Sequence, residues 1–125
     1  MTHILIIDDD EQILTMLSQV LAKEGYEITT AIDGRQGIEL YKEIRADLVI
    51  TDIVMPDMEG LEAIRKLRKE NNDIKIIALS GGGFVDPDEY LKIAKQFGAK
   101  YAFAKPVDLK KLKTTIKELL KSDHN

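Results

Sequence analysis

The segment Ile4-Leu5-Ile6-Ile7-Asp8-Asp9-Asp10 sets four residues of strand-core type directly ahead of three carboxylates. An unbroken apolar run of this length suits a strand covered on both faces. Acids at the end of such a strand are costly, because burial withholds water from their charge. Three other runs stop in a similar way. Leu48-Val49-Ile50 reaches Thr51-Asp52, Ile74 to Leu79 reaches Ser80, and Tyr101 to Ala104 reaches Lys105-Pro106. If these runs are neighbouring parallel strands, carboxylates, a hydroxyl and an ammonium meet at one sheet edge. Such a set suits a divalent cation and a phosphoryl group.

Between the apolar runs lie segments with helical spacing. The first strand is read as His3 to Ile7. The helix after it turns Ile13, Met16, Leu17, Val20 and Leu21 inward, and Gly25 follows as its C′ residue. Strand two is Glu27 to Ala31. Helix two is Gly34 to Ile44, with Ile38, Tyr41 and Ile44 inward. Strand three is Asp47 to Thr51, and a loop from Asp52 to Glu59 holds Met55-Pro56. Helix three, Gly60 to Glu70, buries Leu61, Ile64 and Leu67. Strand four is Ile74 to Leu79. Helix four starts near Asp86-Pro87, with Asp86 as N-cap, and Gly98 ends it. Strand five is Lys100 to Ala104. Helix five, Asp108 to Lys121, buries Leu109, Leu112, Ile116, Leu119 and Leu120, and Ser122 to Asn125 fray.

Five strands alternating with five helices predict an α/β fold, a (βα)5 parallel sheet with helices on both faces. Right-handed crossovers leave few strand orders, and the flavodoxin-like order 2-1-3-4-5 is the common one. In that order strands one and three are neighbours, and the crevice between their C-terminal ends is the expected site. Asp8, Asp9 and Asp10 form one lip and Asp52 the other, with Ser80 and Lys105 arriving from strands four and five.

The composition sets outer bounds. The 125 residues fit one domain, and 44% apolar with 32% charged residues is ordinary for a globular chain. A net charge of −4 and a pI near 5.2 argue against a nucleic-acid surface. There is no cysteine, no apolar run long enough to span a membrane and no signal-peptide pattern, so a cytoplasmic protein is expected.

Two carboxylates about 4 Å apart repel by roughly 4 kcal/mol at an effective dielectric of 20. One relief is protonation of one acid; the other is a hard cation with oxygen ligands. Mg2+ (or Mn2+) suits the second case, because it uses few carboxylates and takes phosphate oxygens as further ligands. A carboxylate can then attack phosphorus, with the lysine and Ser80 facing the equatorial oxygens.

These residues carry a resemblance over essentially the whole chain. Ile4 to Asp10, Asp47 to Asp52, Met55-Pro56-Asp57-Met58-Glu59-Gly60, Ala78-Leu79-Ser80 and Ala104-Lys105-Pro106 together resemble the receiver domain of two-component response regulators. Each stretch is weak alone; their order and spacing make the match. The resemblance implies that Asp52 accepts the phosphoryl group and that Asp9 binds Mg2+ directly. It also implies that Asp8 binds metal through water and that the Val54 backbone carbonyl is a further ligand. Ser80 and Lys105 would contact the phosphoryl oxygens, next to a cis Lys105-Pro106 bond. The implied donor is a sensor histidine kinase or histidine phosphotransfer protein. The implied output is a target protein on the helix four, strand five and helix five face. A stand-alone, single-domain receiver covering 1–125 is expected, with no further enzymatic activity, no nucleic acid and no membrane among its partners.

Asp10 reads as a helix-start carboxylate outside the metal set. Gly81-Gly82-Gly83 reads as a loop made pliant by glycine, and no GxxxxGK[ST] accompanies it. His3 and His124 lie near the chain ends, and a phosphohistidine role for them is a minor reading. Lys110, Lys111, Lys113, Lys117 and Lys121 give helix five a basic outer side, read as solvated or as facing an acidic partner.

Two departures from the family stand out. Three residues before the lysine, where receivers commonly carry Tyr or Phe, this chain has Ala102. Tyr101 and Phe103 fall on the opposite strand face, so the usual aromatic switch is expected to be absent or rerouted. Ser80 and Lys105 are also 105 − 80 = 25 positions apart, a few more than usual, with the surplus expected in Gly81 to Asp88. Two other functions compete. A phosphorylation-independent interaction module would be expected to have lost some of these acids, Ser80 or Lys105. An Asp8-x-Asp10 phosphohydrolase would want Thr or Val where Gln12 stands, and a cap insertion.

Overall fold

The alternation of apolar runs and amphipathic segments folds as that pattern requires. The computed structural model describes residues 1–53, 60–81 and 87–121. In chain order the elements are β1 (His3–Ile7), α1 (Glu11–Lys23), β2 (Glu27–Ala31), α2 (Gly34–Ile44) and β3 (Leu48–Asp52). They continue with α3 (Gly60–Glu70), β4 (Ile76–Ser80), α4 (Pro87–Phe97), β5 (Tyr101–Ala104) and α5 (Leu109–Lys121). The five strands form one parallel sheet in the order β2-β1-β3-β4-β5.

Strand parity divides the core in two. Leu5, Ile7, Val49, Ile76 and Ala78 face α2, α3 and α4, where they meet Ile38, Tyr41, Ile64, Leu67 and Ala94. Ile4, Ile6, Leu48, Ile50, Ile77 and Leu79 face α1 and α5, where they meet Leu14, Leu17, Leu21, Leu112, Ile116 and Leu119. Each central strand is therefore buried on both faces, which is why its sequence shows no polar alternation.

Several boundaries and faces differ from the sequence reading. Strand β4 starts at Ile76 rather than Ile74, because the Ile74 N–H is used in a turn, donating to the Asn71 carbonyl at 3.1 Å. Strand β3 extends to Asp52, whose residue pairs with Leu79. Strand β5 starts at Tyr101, and α5 at Leu109. Asp108 precedes that helix and accepts from the Lys111 N–H at 3.2 Å, which makes it a cap. On α1 the fully inward residues are Leu14, Leu17 and Leu21, and Ile13, Met16 and Val20 pack at the margin. Leu61 and Ile44, like Leu109 and Leu120, are half-buried rather than enclosed, and Ala63 takes the inward place on α3. Gly25 has φ +95, and the N–H groups of Gly25 and Tyr26 donate to Ala22 and Leu21, which ends α1 in a Schellman turn. The Asp86 cap, the loop around Met55-Pro56, the surplus beyond Gly81 and the 122–125 terminus lie outside the described residues.

Candidate functional site

Register sets the site. Ile7 pairs with Thr51, so the next residues, Asp8 and Asp52, leave adjacent strands side by side. Asp52 in turn pairs with Leu79, and Ser80 with Ala104, so Ser80 and Lys105 arrive one strand and two strands further along. The Asp8 N–H donates to the Ala31 carbonyl at 3.1 Å, and the Lys105 N–H to the Ser80 carbonyl at 2.8 Å. Both residues are thus fixed by backbone at the sheet's C-terminal edge. The Lys105-Pro106 bond is cis, as the resemblance implied.

The charged atoms converge. Lys105 Nζ lies 2.8 Å from Asp8 Oδ2 and 3.4 Å from Asp52 Oδ2. Asp8 is completely enclosed and Asp52 is 4% exposed, whereas Asp9 is open to solvent. One carboxylate oxygen from each of Asp8, Asp9 and Asp52 can be chosen so that all three lie within 4.8 Å of one another. The donor set is all carboxylate, and octahedral Mg2+ spans about 4 Å between opposite oxygens, so the residues fit that ion. Ser80 Oγ is buried and has no hydrogen-bond partner among the described residues. A buried hydroxyl left so is costly unless something arrives to accept from it. Asp10, in contrast, caps α1, accepting from the Gln12 N–H at 2.9 Å. Its own N–H donates to Asp8 Oδ1 at 2.9 Å, so Asp10 orients an acid of the cluster rather than joining it. Val54 lies outside the described residues, so its carbonyl is not placed.

Electrostatics follow from burial. Desolvation raises the Asp8 pKa above its ordinary 3.8; the hydrogen bonds from Lys105 and Asp10 and the Lys105 charge pull it down without winning, and Asp9 adds to the rise. For Lys105, desolvation works against the ammonium, but the hydrogen bond to Asp8 and the charges of Asp52 and Asp8 outweigh it, so its pKa is raised. Ionised Asp8 therefore costs stability. The stability that protonated Asp8 brings is fully present below pH 3.8 and is lost as pH rises through the raised folded pKa. Asp8→Asn keeps an acceptor for the Asp10 N–H and removes the charge. In chelator-treated protein it should melt above the parent near neutral pH, with the gap closing as pH falls to about 4. A variant that melts below the parent at neutral pH contradicts this account of the cluster.

Three residues that the sequence reading named only as parts of longer stretches support the site. Thr51 is fully buried, and its hydroxyl donates to the Asp52 carbonyl at 3.0 Å. Gly60 starts α3 directly against the backbone of Asp52 and Ile53, and its N–H donates to the Ile53 carbonyl at 3.2 Å. Gly81 sits over Lys105, where an added Cβ would lie 3.4 Å from Cδ.

An acid-lined crevice with a lysine and a buried hydroxyl, at the carboxyl edge of a 2-1-3-4-5 parallel sheet, defines a phosphoacceptor signalling class. Residues 4–117 match the response regulator receiver domain family, and the chain belongs to that family. It is similar to the chemotaxis protein CheY of Treponema pallidum, at 37% identity over 122 residues covering 95% of this chain and 83% of that protein. It is also similar to sporulation initiation phosphotransferase F of Bacillus subtilis, at 32% identity over 117 residues covering 94% and 92%. Among solved structures, response regulator TrrA of Thermotoga maritima in complex with Mg2+ and BeF superposes with a TM-score of 0.84. That pair is 34% identical, covering 95% of this chain and 99% of the other. No helix among the described residues is long and apolar enough to cross a membrane.

Proposed function

We propose that Asp52 is the phosphoacceptor of this receiver domain. The observation that carries the assignment is the contact of Lys105 Nζ with both Asp8 and Asp52 inside the carboxylate cluster. Asp52 Oδ attacks the donor's phosphorus, an acyl phosphate bond forms, and the bond to the donor breaks with its electron pair on the leaving atom. Asp8, Asp9 and Asp52 would hold Mg2+, with the Val54 carbonyl as a further ligand. Bound there, the ion offsets the charge of the carboxylates and of the incoming phosphoryl oxygens. Lys105, already beside Asp52, neutralises one of those oxygens as charge develops. Ser80 Oγ donates to another, which gives its unpartnered hydroxyl an acceptor.

Gathering Ser80 toward phosphate pulls on the chain that leads through Gly81 to α4, and this shifts a two-state equilibrium. A histidine kinase or histidine phosphotransfer protein is the donor we infer, and a protein target reads the α4, β5 and α5 face. We take the chain as one receiver domain of the cytoplasm, with no substrate turnover beyond its own phosphoryl group. The kinship with chemotaxis and sporulation phosphotransfer proteins supports this reading.

The test is intact mass after incubation with Mg2+ and a small acyl phosphate, with and without chelator. A single phosphoryl adduct that needs the metal is expected. An adduct indifferent to chelator counts against the metal set. Steady phosphate release from many small esters favours a hydrolase.

A further inference from the structure

Thr51 is a buried polar side chain that the proposed phosphoryl chemistry does not use. It is fully enclosed and stands in register between Ile7 of β1 and Ala78 of β4. Both neighbours, with Val49 two residues earlier on the same strand face, belong to the apolar layer under α2, α3 and α4. Valine has nearly the shape of threonine and would fill this place without a polar atom. A buried hydroxyl costs free energy unless it is hydrogen-bonded, so core packing does not account for it.

The hydroxyl has one proton to give, and it goes to the carbonyl oxygen of Asp52 at 3.0 Å. The same peptide group is held from its other side, where the Ile53 N–H donates to the Leu79 carbonyl at 2.9 Å. Gly60 closes against this unit as well. Its N–H donates to the Ile53 carbonyl at 3.2 Å, and a Cβ on it would overlap the Asp52 carbonyl oxygen. The register between β1 and β3 ends at Ile7 and Thr51, so Asp52 lies just past the last paired residue on that side. There the threonine hydroxyl does what a ladder N–H does inside the sheet, and fixes the plane of a peptide. That plane governs the direction in which the Asp52 side chain leaves the backbone. The tolerance is small. Asp52 Oδ2 lies 3.4 Å from Lys105 Nζ, while Asp8 Oδ2 holds the same ammonium at 2.8 Å. A drift of about 0.5 Å at the strand end would leave Lys105 to Asp8 alone.

We propose that Thr51 is a positioning residue for phosphoryl transfer: its hydroxyl locks the peptide between Asp52 and Ile53, and so aims the Asp52 carboxylate at the incoming phosphorus. It acts through the backbone and adds no atom to the carboxylate cluster. The proposal rests on the reading of Asp52 as the phosphoacceptor.

The experiment compares Thr51→Val and Thr51→Ser with the parent in phosphoryl uptake from acyl phosphate, titrated with Mg2+. Beside it, the carbonyl carbon resonance of Asp52 is read in the unphosphorylated chain. Thr51→Val should take up the phosphoryl group about tenfold or more slowly at saturating Mg2+, with the Mg2+ midpoint unmoved. Its Asp52 carbonyl resonance should move upfield, as a carbonyl does on losing a hydrogen bond. Thr51→Ser keeps the hydroxyl and should restore both rate and resonance. A residue that only filled the core would give the opposite order, because serine leaves a methyl-sized void and valine does not. If Thr51→Val does not fold, Thr51→Ala takes its place, with the same loss expected and the same rescue by Thr51→Ser. The proposal is overturned if Thr51→Val keeps the parent's rate, or if Thr51→Ser falls as far as Thr51→Val. It is also overturned if the loss is confined to the Mg2+ midpoint, or if the Asp52 resonance stays in place. A parent that takes up no phosphoryl group overturns the receiver reading, and this role with it. A parent that does, beside an unaffected Thr51→Val, overturns this role alone.

Discussion

Asp52→Asn will take up no phosphoryl group from acyl phosphate and Mg2+, a loss of roughly a thousandfold or more in rate, as expected when a nucleophile is removed. Asp52 ends β3 at 4% exposure, with Lys105 Nζ 3.4 Å away and Ser80 on the next strand. Asn keeps the shape and the carbonyl oxygen of Asp52, so the fold should survive and the Lys105–Asp8 pair should hold. Asp9→Asn makes the comparison informative. Asp9 is open to solvent and is one of the three carboxylates proposed to hold Mg2+, so its loss should raise the Mg2+ needed for uptake without removing the acceptor. If Asp52→Asn forms the adduct at the parent's rate, the nucleophile has been misassigned.

Gly60→Ala will destabilise the domain by about 3 kcal/mol or more and slow phosphoryl uptake in the fraction that remains folded. A Cβ at Gly60 would overlap the carbonyl oxygen of Asp52 and the Cα of Ile53, and would lie 2.7 Å from the Ile53 carbonyl carbon. All three are backbone atoms of the strand end that carries the proposed phosphoacceptor, so no side chain can swing away to relieve the overlap. Either α3 moves off the sheet or Asp52 is displaced. Gly25→Ala is the matched control. Its φ of +95 strains an alanine, but nothing lies within 4 Å, so its cost should be about 1 kcal/mol with no effect on uptake. Urea denaturation of both variants checks the pair. A Gly60→Ala loss below about 0.5 kcal/mol would falsify the close-approach account.

The five-strand order and the gathering of Asp8, Asp9, Asp52, Ser80 and Lys105 were legible because each lies at the end of an apolar run. In a parallel sheet, run ends share an edge. Asp10 was separable from its neighbours because a carboxylate one residue ahead of a helix has a cap to serve, and it does accept from Gln12. Helix faces were less legible. On α1 the apolar residues Ile13, Leu14, Met16, Leu17, Val20 and Leu21 cover too wide an arc for spacing alone to fix which sit inmost. Lys75 was invisible as a core residue. It is nearly buried, and its Nζ donates to the Leu119 carbonyl at 2.6 Å, across 44 residues of sequence. Gly60 looked like an ordinary helix-start glycine, because its constraint comes from the Asp52 backbone and not from its own turn. Contacts between elements distant in sequence leave no period to read.

The most direct measurement is peptide mapping of the acyl phosphate adduct after borohydride reduction, which marks the phosphorylated carboxylate. The account predicts a single reduced residue at Asp52, formed only with Mg2+ present. Reduction at Asp8, Asp9 or Asp10, or no reduced carboxylate in a chain that still carries an adduct, would contradict it.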